Sequence, residues 1–195
     1  MPVEDLPKNT GVRERVLSAA FELFSRDGIK SVSVDAIVAH AGCARASLYN
    51  IFGSKDELVA AFLRRREQLR TRVLLEAEVC KRSEDPEQRL LIILDVLDRW
   101  LKTDDFQHCT LIKMLLEAER ESYVHSAVRG QLAKVREMVS GFAEDAGLDR
   151  PNDFARVWHM LMKGAIVSGH EGDVDAAAEA QKAGAMILLA WPRRL

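Results

Sequence analysis

Apolar residues recur along this chain at intervals of three and four, the spacing of one face of an α-helix with 3.6 residues per turn. Leu17, Ala20, Phe21 and Phe24 form the first such stripe. Gly28 predicts its end, since glycine is favoured just past a helix C-terminus. Ser33 is placed to cap a second helix, whose Val34, Ile37, Val38 and Ala41 repeat the spacing. Gly42 closes that helix after few residues, and a third short helix carries Leu48, Ile51 and Phe52 to the core. Ser54 and Glu57 then have the spacing of a capping box, in which each side chain satisfies the other's end of a new helix.

The fourth helix meets no Pro or Gly from Lys55 to Arg82, a length of roughly 40 Å at 1.5 Å per residue. Asp85-Pro86-Glu87-Gln88 is a strong start signal for a fifth. Leu90, Ile93, Leu94, Val96, Leu97, Trp100 and Leu101 cover most of its circumference, which predicts a central position. A short sixth helix is expected near Phe106–Ala118. A seventh carries Val128, Leu132, Val135, Val139 and Phe142 and ends at Gly147; an eighth, opened by Pro151, carries Phe154, Val157, Trp158, Leu161, Met162 and Ala165. A ninth runs from about Val174 to Trp191, before Pro192. No stretch alternates as a strand would. The expectation is an all-α chain of about nine helices: an N-terminal three-helix domain over residues 10–70 and a C-terminal helical bundle over 71–195.

Charge sharpens that division. The chain as a whole carries −2, but residues 1–72 hold 12 Lys and Arg against 9 Asp and Glu, a balance of +3. The remaining residues hold 16 against 21, a balance of −5. The basic portion is the one suited to nucleic acid, although the asymmetry alone is modest. Cys43, Cys80 and Cys109 show no CxxC spacing and read as reduced thiols of a cytoplasmic protein. Met1–Thr10 is polar and does not read as a signal peptide. The longest apolar run, Ala185–Trp191, falls far short of a membrane span.

The chemistry lies between Arg15 and Leu58. Two short helices joined at Gly42 form a helix-turn-helix, in which the first helix braces the second and the second lays its N-terminal side chains against base edges. Ala19-Ala20, Leu23-Phe24, Gly28, Val34-Asp35-Ala36-Ile37, Ala41-Gly42, Leu48-Tyr49, Phe52, Ser54-Lys55 and Leu58 resemble, in order and spacing, the N-terminal signature of the TetR family. More loosely, Gly164-Ala165-Ile166 and the Ala-rich ninth helix resemble one branch of that family. Arg45, Ala46, Ser47 and Asn50 are the candidate base readers: Arg45 suits guanine O6 and N7, and Asn50 suits adenine. The resemblance implies phosphate contacts by Tyr49 and Lys55, with Tyr49 alternatively packing the turn. Ser33, at a helix N-terminus, is a further phosphate candidate, and Lys8 and Arg13 add charge. In one respect the chain departs from the pattern. Family members commonly have Ser or Thr capping the third helix, where this chain has Ala44 after Cys43.

The resemblance further implies a repressor that binds an inverted repeat of double-stranded DNA as a homodimer and is released by a small-molecule effector. Trp100, His108, Thr110, Met114, Glu117, Trp158, His159 and Met162 are the candidates to line an effector pocket. Trp100, Met114, Trp158 and Met162 fit plain core equally well, and His159 fits a dimer interface. Dimerisation is expected through helices 8 and 9, because Ala176, Ala177, Ala180, Ala183 and Gly184 permit close helix approach. The alternatives are a DNA-binding regulator without a ligand and a helical enzyme with an incidental helix-turn-helix. No phosphate loop, HExxH or GxSxG occurs, and His108 beside Cys109 lacks further ligands for a metal. Neither a cofactor nor catalysis is expected.

Overall fold

The computed structural model describes residues 11–103 and 110–194, apart from the side chains of Arg70, Arg72, Val73 and Thr110. Lys8 and His108 therefore lie outside the described residues. The described elements are helices: α1 (Val12–Asp27), α2 (Val34–Ala41) and α3 (Arg45–Phe52), then α4, which is α-helical over Lys55–Arg66, π-helical over Glu67–Glu76 and α-helical again over Ala77–Arg82. They continue as α5 (Pro86–Leu101), α6 (Thr110–Glu117), α7 (Tyr123–Asp145), α8 (Pro151–His170) and α9 (Ala176–Ala190). The sole β-type pairing among the described residues is one isolated bridge, Leu148 to Arg193.

Two compact units emerge: one comprises the chain through Arg66 with Thr110–Val128, the other Glu67–Cys109 with Arg129–Leu195. The first is built on α1. Val16, Ala20 and Phe24 are fully buried with Ile37 of α2, Leu48 of α3 and Leu58, Val59 and Phe62 of α4. Phe21 and Phe24 meet the Phe62 ring edge-on at 5.6 and 5.4 Å, a favoured arrangement of aromatic pairs. At the rim, Arg65 of α4 pairs with Glu14 of α1.

In the second unit α5 packs against α8 and α9, with Leu90, Ile93 and Leu94 fully buried, as its apolar circumference predicts. Asp85 caps it, accepting from Glu87 N–H at 2.9 Å. Of the seventh and eighth stripes, Val128, Leu132, Val139, Phe142, Phe154, Trp158, Met162 and Ala165 are buried, while Val135, Val157 and Leu161 lie at their edges, half-buried. Pro192 disfavours helical geometry for the residue before it. Trp191 is accordingly extended, and α9 stops at Ala190. Trp191 Nε1 donates to Asp149 O at 2.7 Å, and Arg193 pairs with Glu87 at 2.6 Å, fixing the C-terminal segment.

Three expectations are corrected. The small residues of α9 face inward: Ala176, Ala177, Ala180 and Gly184 are buried within the chain, so their spacing reflects packing on α5 and α8. Half of the Ser54–Glu57 capping box forms. Ser54 Oγ accepts from Glu57 N–H at 3.1 Å, while Ser54 N–H donates to Phe52 O at 2.8 Å. Ile51 remains 37% exposed. With Leu48 and Phe52 turned inward, helical geometry leaves position 51 at the edge of the buried stripe.

Candidate nucleic-acid interface

The turn between α2 and α3 is set by local chemistry. Ser33 Oγ accepts from Ala36 N–H at 3.1 Å, satisfying one of the free amides at the α2 N-terminus. At the other end Gly42 is left-handed, φ 61° and ψ 46°, a conformation that disfavours residues with a Cβ. Gly42 N–H donates to Ala39 O at 3.3 Å and Cys43 N–H to Val38 O at 3.1 Å, the two bonds of a Schellman motif. Arg15 Nε donates to Ala41 O at 3.1 Å and ties this end to α1.

Leu48 and Phe52 anchor α3 and aim its other face outward. Arg45, Ala46, Tyr49 and Asn50 are exposed and Ser47 is half-buried. Arg45 Nη1 donates to Asp35 of α2 at 3.1 Å and 3.4 Å, and its guanidinium lies 5.7 Å from the centre of the Tyr49 ring. Arg13 of α1 lies 5.4 Å from the Phe52 ring centre. Lys55 is half-buried and donates to Ile29 O at 2.7 Å. Burial pulls its pKa below the ordinary lysine value, with Asp56 opposing the pull. An ammonium has three donors, so two remain for an anion. The surface thus offers a guanidinium, an amide, a phenol and an ammonium, the groups that serve base edges and phosphates.

The α3 cap departs from the helix-turn-helix norm as its sequence indicates. Ala44 has cap geometry, φ −74° and ψ 147°, but supplies no side-chain bond. Ala44→Ser is expected to stabilise the fold by about 1 kcal/mol, read as a rise of about 2–4 °C in melting temperature. An unchanged melting temperature would show that water already serves these amides equally well.

Residues 16–62 match the family model described as "Bacterial regulatory proteins, tetR family". Residues 84–188 match "Tetracyclin repressor-like, C-terminal domain". The chain belongs to the tetR family. Among curated relatives, a regulator of Bacillus subtilis, YvdT, of the helix-turn-helix type, is 40% identical over 57 residues, 29% of each chain. Another of Mycobacterium tuberculosis is 32% identical over 91 residues, 46% of this chain and 43% of that one. The chain thus spans less than half the length of the curated relatives it matches. Solved structures are similar over nearly the whole chain. SCO4454, a TetR-family regulator from Streptomyces coelicolor, gives a TM-score of 0.80 at 24% identity, covering 91% of this chain and 94% of that one. Reduced NemR of E. coli gives 0.78 at 20%, covering 91% and 97%. These likenesses establish the fold, and the family is one of transcriptional regulators rather than enzymes.

In this TetR-family chain the effector candidates fall in both units. Trp100, Trp158, His159 and Met162 belong to the second; Thr110, Met114 and Glu117 belong to the first. Trp158 is fully buried, stacked on Phe154 at 5.2 Å. His159 is 4% exposed; burial, with Lys163 and Arg136 nearby, lowers its pKa to about 4 and keeps the imidazole neutral at neutral pH. Trp158 Nε1 and His159 Nδ1 are buried without hydrogen-bond partners. Met114 is buried and Glu117 half-buried. Among the described residues no helix is long and apolar enough to cross a membrane, and no group of three His, Cys, Asp or Glu is disposed to hold a metal.

Proposed function

We propose that this protein is a repressor that binds an inverted-repeat operator as a homodimer and is released by a small-molecule effector. Residues 10–70 act as the DNA-binding domain and 71–195 carry the effector and dimer surfaces. The observation that carries the reading is the outward row of Arg45, Ala46, Tyr49 and Asn50 on α3, a helix braced by α2 through the Gly42 turn. Arg45, Ala46, Ser47 and Asn50 read bases; Tyr49, Lys55 and Ser33 hold phosphates. Pairing through α8 and α9 is supported by exposed apolar side chains: Met160 and Val167 on α8, Met186 and Leu189 on α9, the last 85% exposed. Large apolar side chains exposed on neighbouring helices are available to an interaction surface. The buried, unpartnered Trp158 Nε1 and His159 Nδ1 are polar handles for an otherwise apolar effector, with Trp100 and Met162 of the same unit as further contacts.

Two-fold symmetry then presents the recognition helices to half-sites about one helical turn apart, ~34 Å. Sedimentation at micromolar concentration should give a dimer. Footprinting on DNA flanking the protein's own gene should show a protected inverted repeat, and a compound panel should contain one that abolishes protection. With roughly 6–10 phosphate contacts, affinity should fall about 10³- to 10⁵-fold between 50 and 200 mM salt. A monomer that protects no DNA overturns the proposal.

A further inference from the structure

Arg45 is engaged even without DNA. Its Nη1 reaches both carboxylate oxygens of Asp35, at 3.1 and 3.4 Å, while its Nη2 lies 3.5 Å from the Tyr49 hydroxyl. Asp35 sits in the first turn of α2 and Arg45 in the first turn of α3. The two helices are locked together by buried Ile37, Val38, Leu48 and Phe52 and by the Gly42 turn. The pair is therefore built into the helix-turn-helix. It is also open to solvent, its side chains being 58% and 71% exposed, and ion pairs so exposed contribute little to stability. Its consequence lies in what it does to Arg45.

We propose that Asp35 is a positioning residue for DNA reading: it holds the Arg45 guanidinium ready for a guanine edge and turns phosphates away from it. This rests on the reading of α3 as the base-contacting helix. Two effects combine. A free arginine samples many rotamers, and one paired with a carboxylate beside an aromatic ring has given up part of that freedom before DNA arrives. An unpaired arginine on a DNA-facing surface also attracts any phosphate, which strengthens binding to every sequence alike. Beside Asp35 its charge is partly offset, and a phosphate approaching it also approaches a carboxylate. The guanine O6 and N7 pair is uncharged and offers two acceptors in one plane, so it suffers no such repulsion. Arg45 thereby contributes to sequence preference and little to sequence-independent binding.

The test uses the full chain with Asp35→Asn, Asp35→Glu, Arg45→Ala and the Asp35→Asn/Arg45→Ala double variant. The probes are the duplex the wild type selects from a random pool, that duplex with each base pair exchanged in turn, and a scrambled duplex of equal length. Arg45→Ala should relax preference at one base pair per half-site by about 5- to 150-fold. Asp35→Asn should bind the scrambled duplex several-fold more tightly. Its salt dependence on that duplex should steepen by up to about 0.9 in log–log slope, as one more cation becomes available to phosphate. It should also lose several-fold preference at the same base pair, with no further loss in the double variant. Asp35→Glu keeps the charge but displaces it by one methylene. It should retain weak scrambled-duplex binding while losing part of the preference, a separation that a merely structural Asp35 would not produce. Thermal melting confirms that each variant is folded. If Arg45→Ala relaxes one base pair while both Asp35 variants match the wild type on every duplex, Asp35 is a bystander and the proposal falls. If Arg45→Ala relaxes no position, the base-reading assignment falls and the proposal with it.

Discussion

Gly184→Val is expected to destabilise the second unit by about 2 kcal/mol, the balance of overpacking and regained helix propensity. That corresponds to a fall of about 4–8 °C in melting temperature. A Cβ at position 184 would stand 2.8 Å from Leu94 Cδ1 and 2.8 Å from Trp158 Cη2. Leu94 and Trp158 are both fully buried, and the indole is held by stacking on Phe154, whose ring meets Trp191 at 5.1 Å. In a mid-helix position glycine is itself unfavourable by about 0.5–1 kcal/mol relative to alanine, so its presence in α9 reflects close approach of α5 and α8. Leu94→Ala alone leaves a cavity and should cost about 2–5 kcal/mol. Combined with Gly184→Val it should cost less than the sum of the two, because the new side chain enters the vacated space. Chemical and thermal unfolding of the four proteins checks this. A valine variant as stable as the wild type would show that the indole shifts at little cost.

The same glycine shows where sequence reading runs out. Ala176, Ala177, Ala180 and Gly184 mark a helix that something approaches closely, and spacing does not reveal whether that neighbour belongs to the same chain. The structure assigns it to α5 and α8, leaving Met186 and Leu189 exposed on the same helix. The helix-turn-helix was far more legible, because its determinants are local. Ser33 and Gly42 act on backbone groups within five residues of themselves, and the stripes of α1 and α2 require only periodicity. Ile51 was misread because a stripe has edges, and burial there depends on neighbours rather than on period. The Asp35–Arg45 pair spans ten residues and two helices, so no single-helix pattern exposes it. Helical hydrogen-bond register is likewise set by surroundings. Glu67–Glu76 contains no Gly or Pro and reads as ordinary α-helix, yet it is π-helical. For the effector candidates, period announces that Trp158 and Met162 are buried but not what they face.

Two glycines inserted after Gln68 are expected to remove most of the proposed effector's influence on DNA binding while leaving operator binding itself largely in place. The helical run 55–82 starts in the unit that holds α3 and ends in the unit that holds α5, α8 and α9. At its start Leu58, Val59, Phe62 and Leu63 are buried, which fixes this segment to the helix-turn-helix. Gln68 lies just inside the π-helical stretch, a form often found at functional sites. An effector that favours a different tilt of this run in each protomer would change the spacing of the two recognition helices. DNA fixes that spacing, so effector and DNA must weaken each other's binding by the same factor, about 5- to 150-fold for a coupling of ~1–3 kcal/mol. Each glycine lowers local helix stability by about 1 kcal/mol relative to alanine and frees the two ends of the run from each other. Two readouts follow. The wild type should discriminate sharply among operators whose half-sites are moved apart or together by one or two base pairs, and the inserted variant should discriminate much less. The compound that releases the wild type in the panel assay should shift the variant's operator affinity far less. Sedimentation and circular dichroism establish that the variant remains dimeric and helical. An undiminished compound response in such a variant rules out α4 as the element that carries the signal.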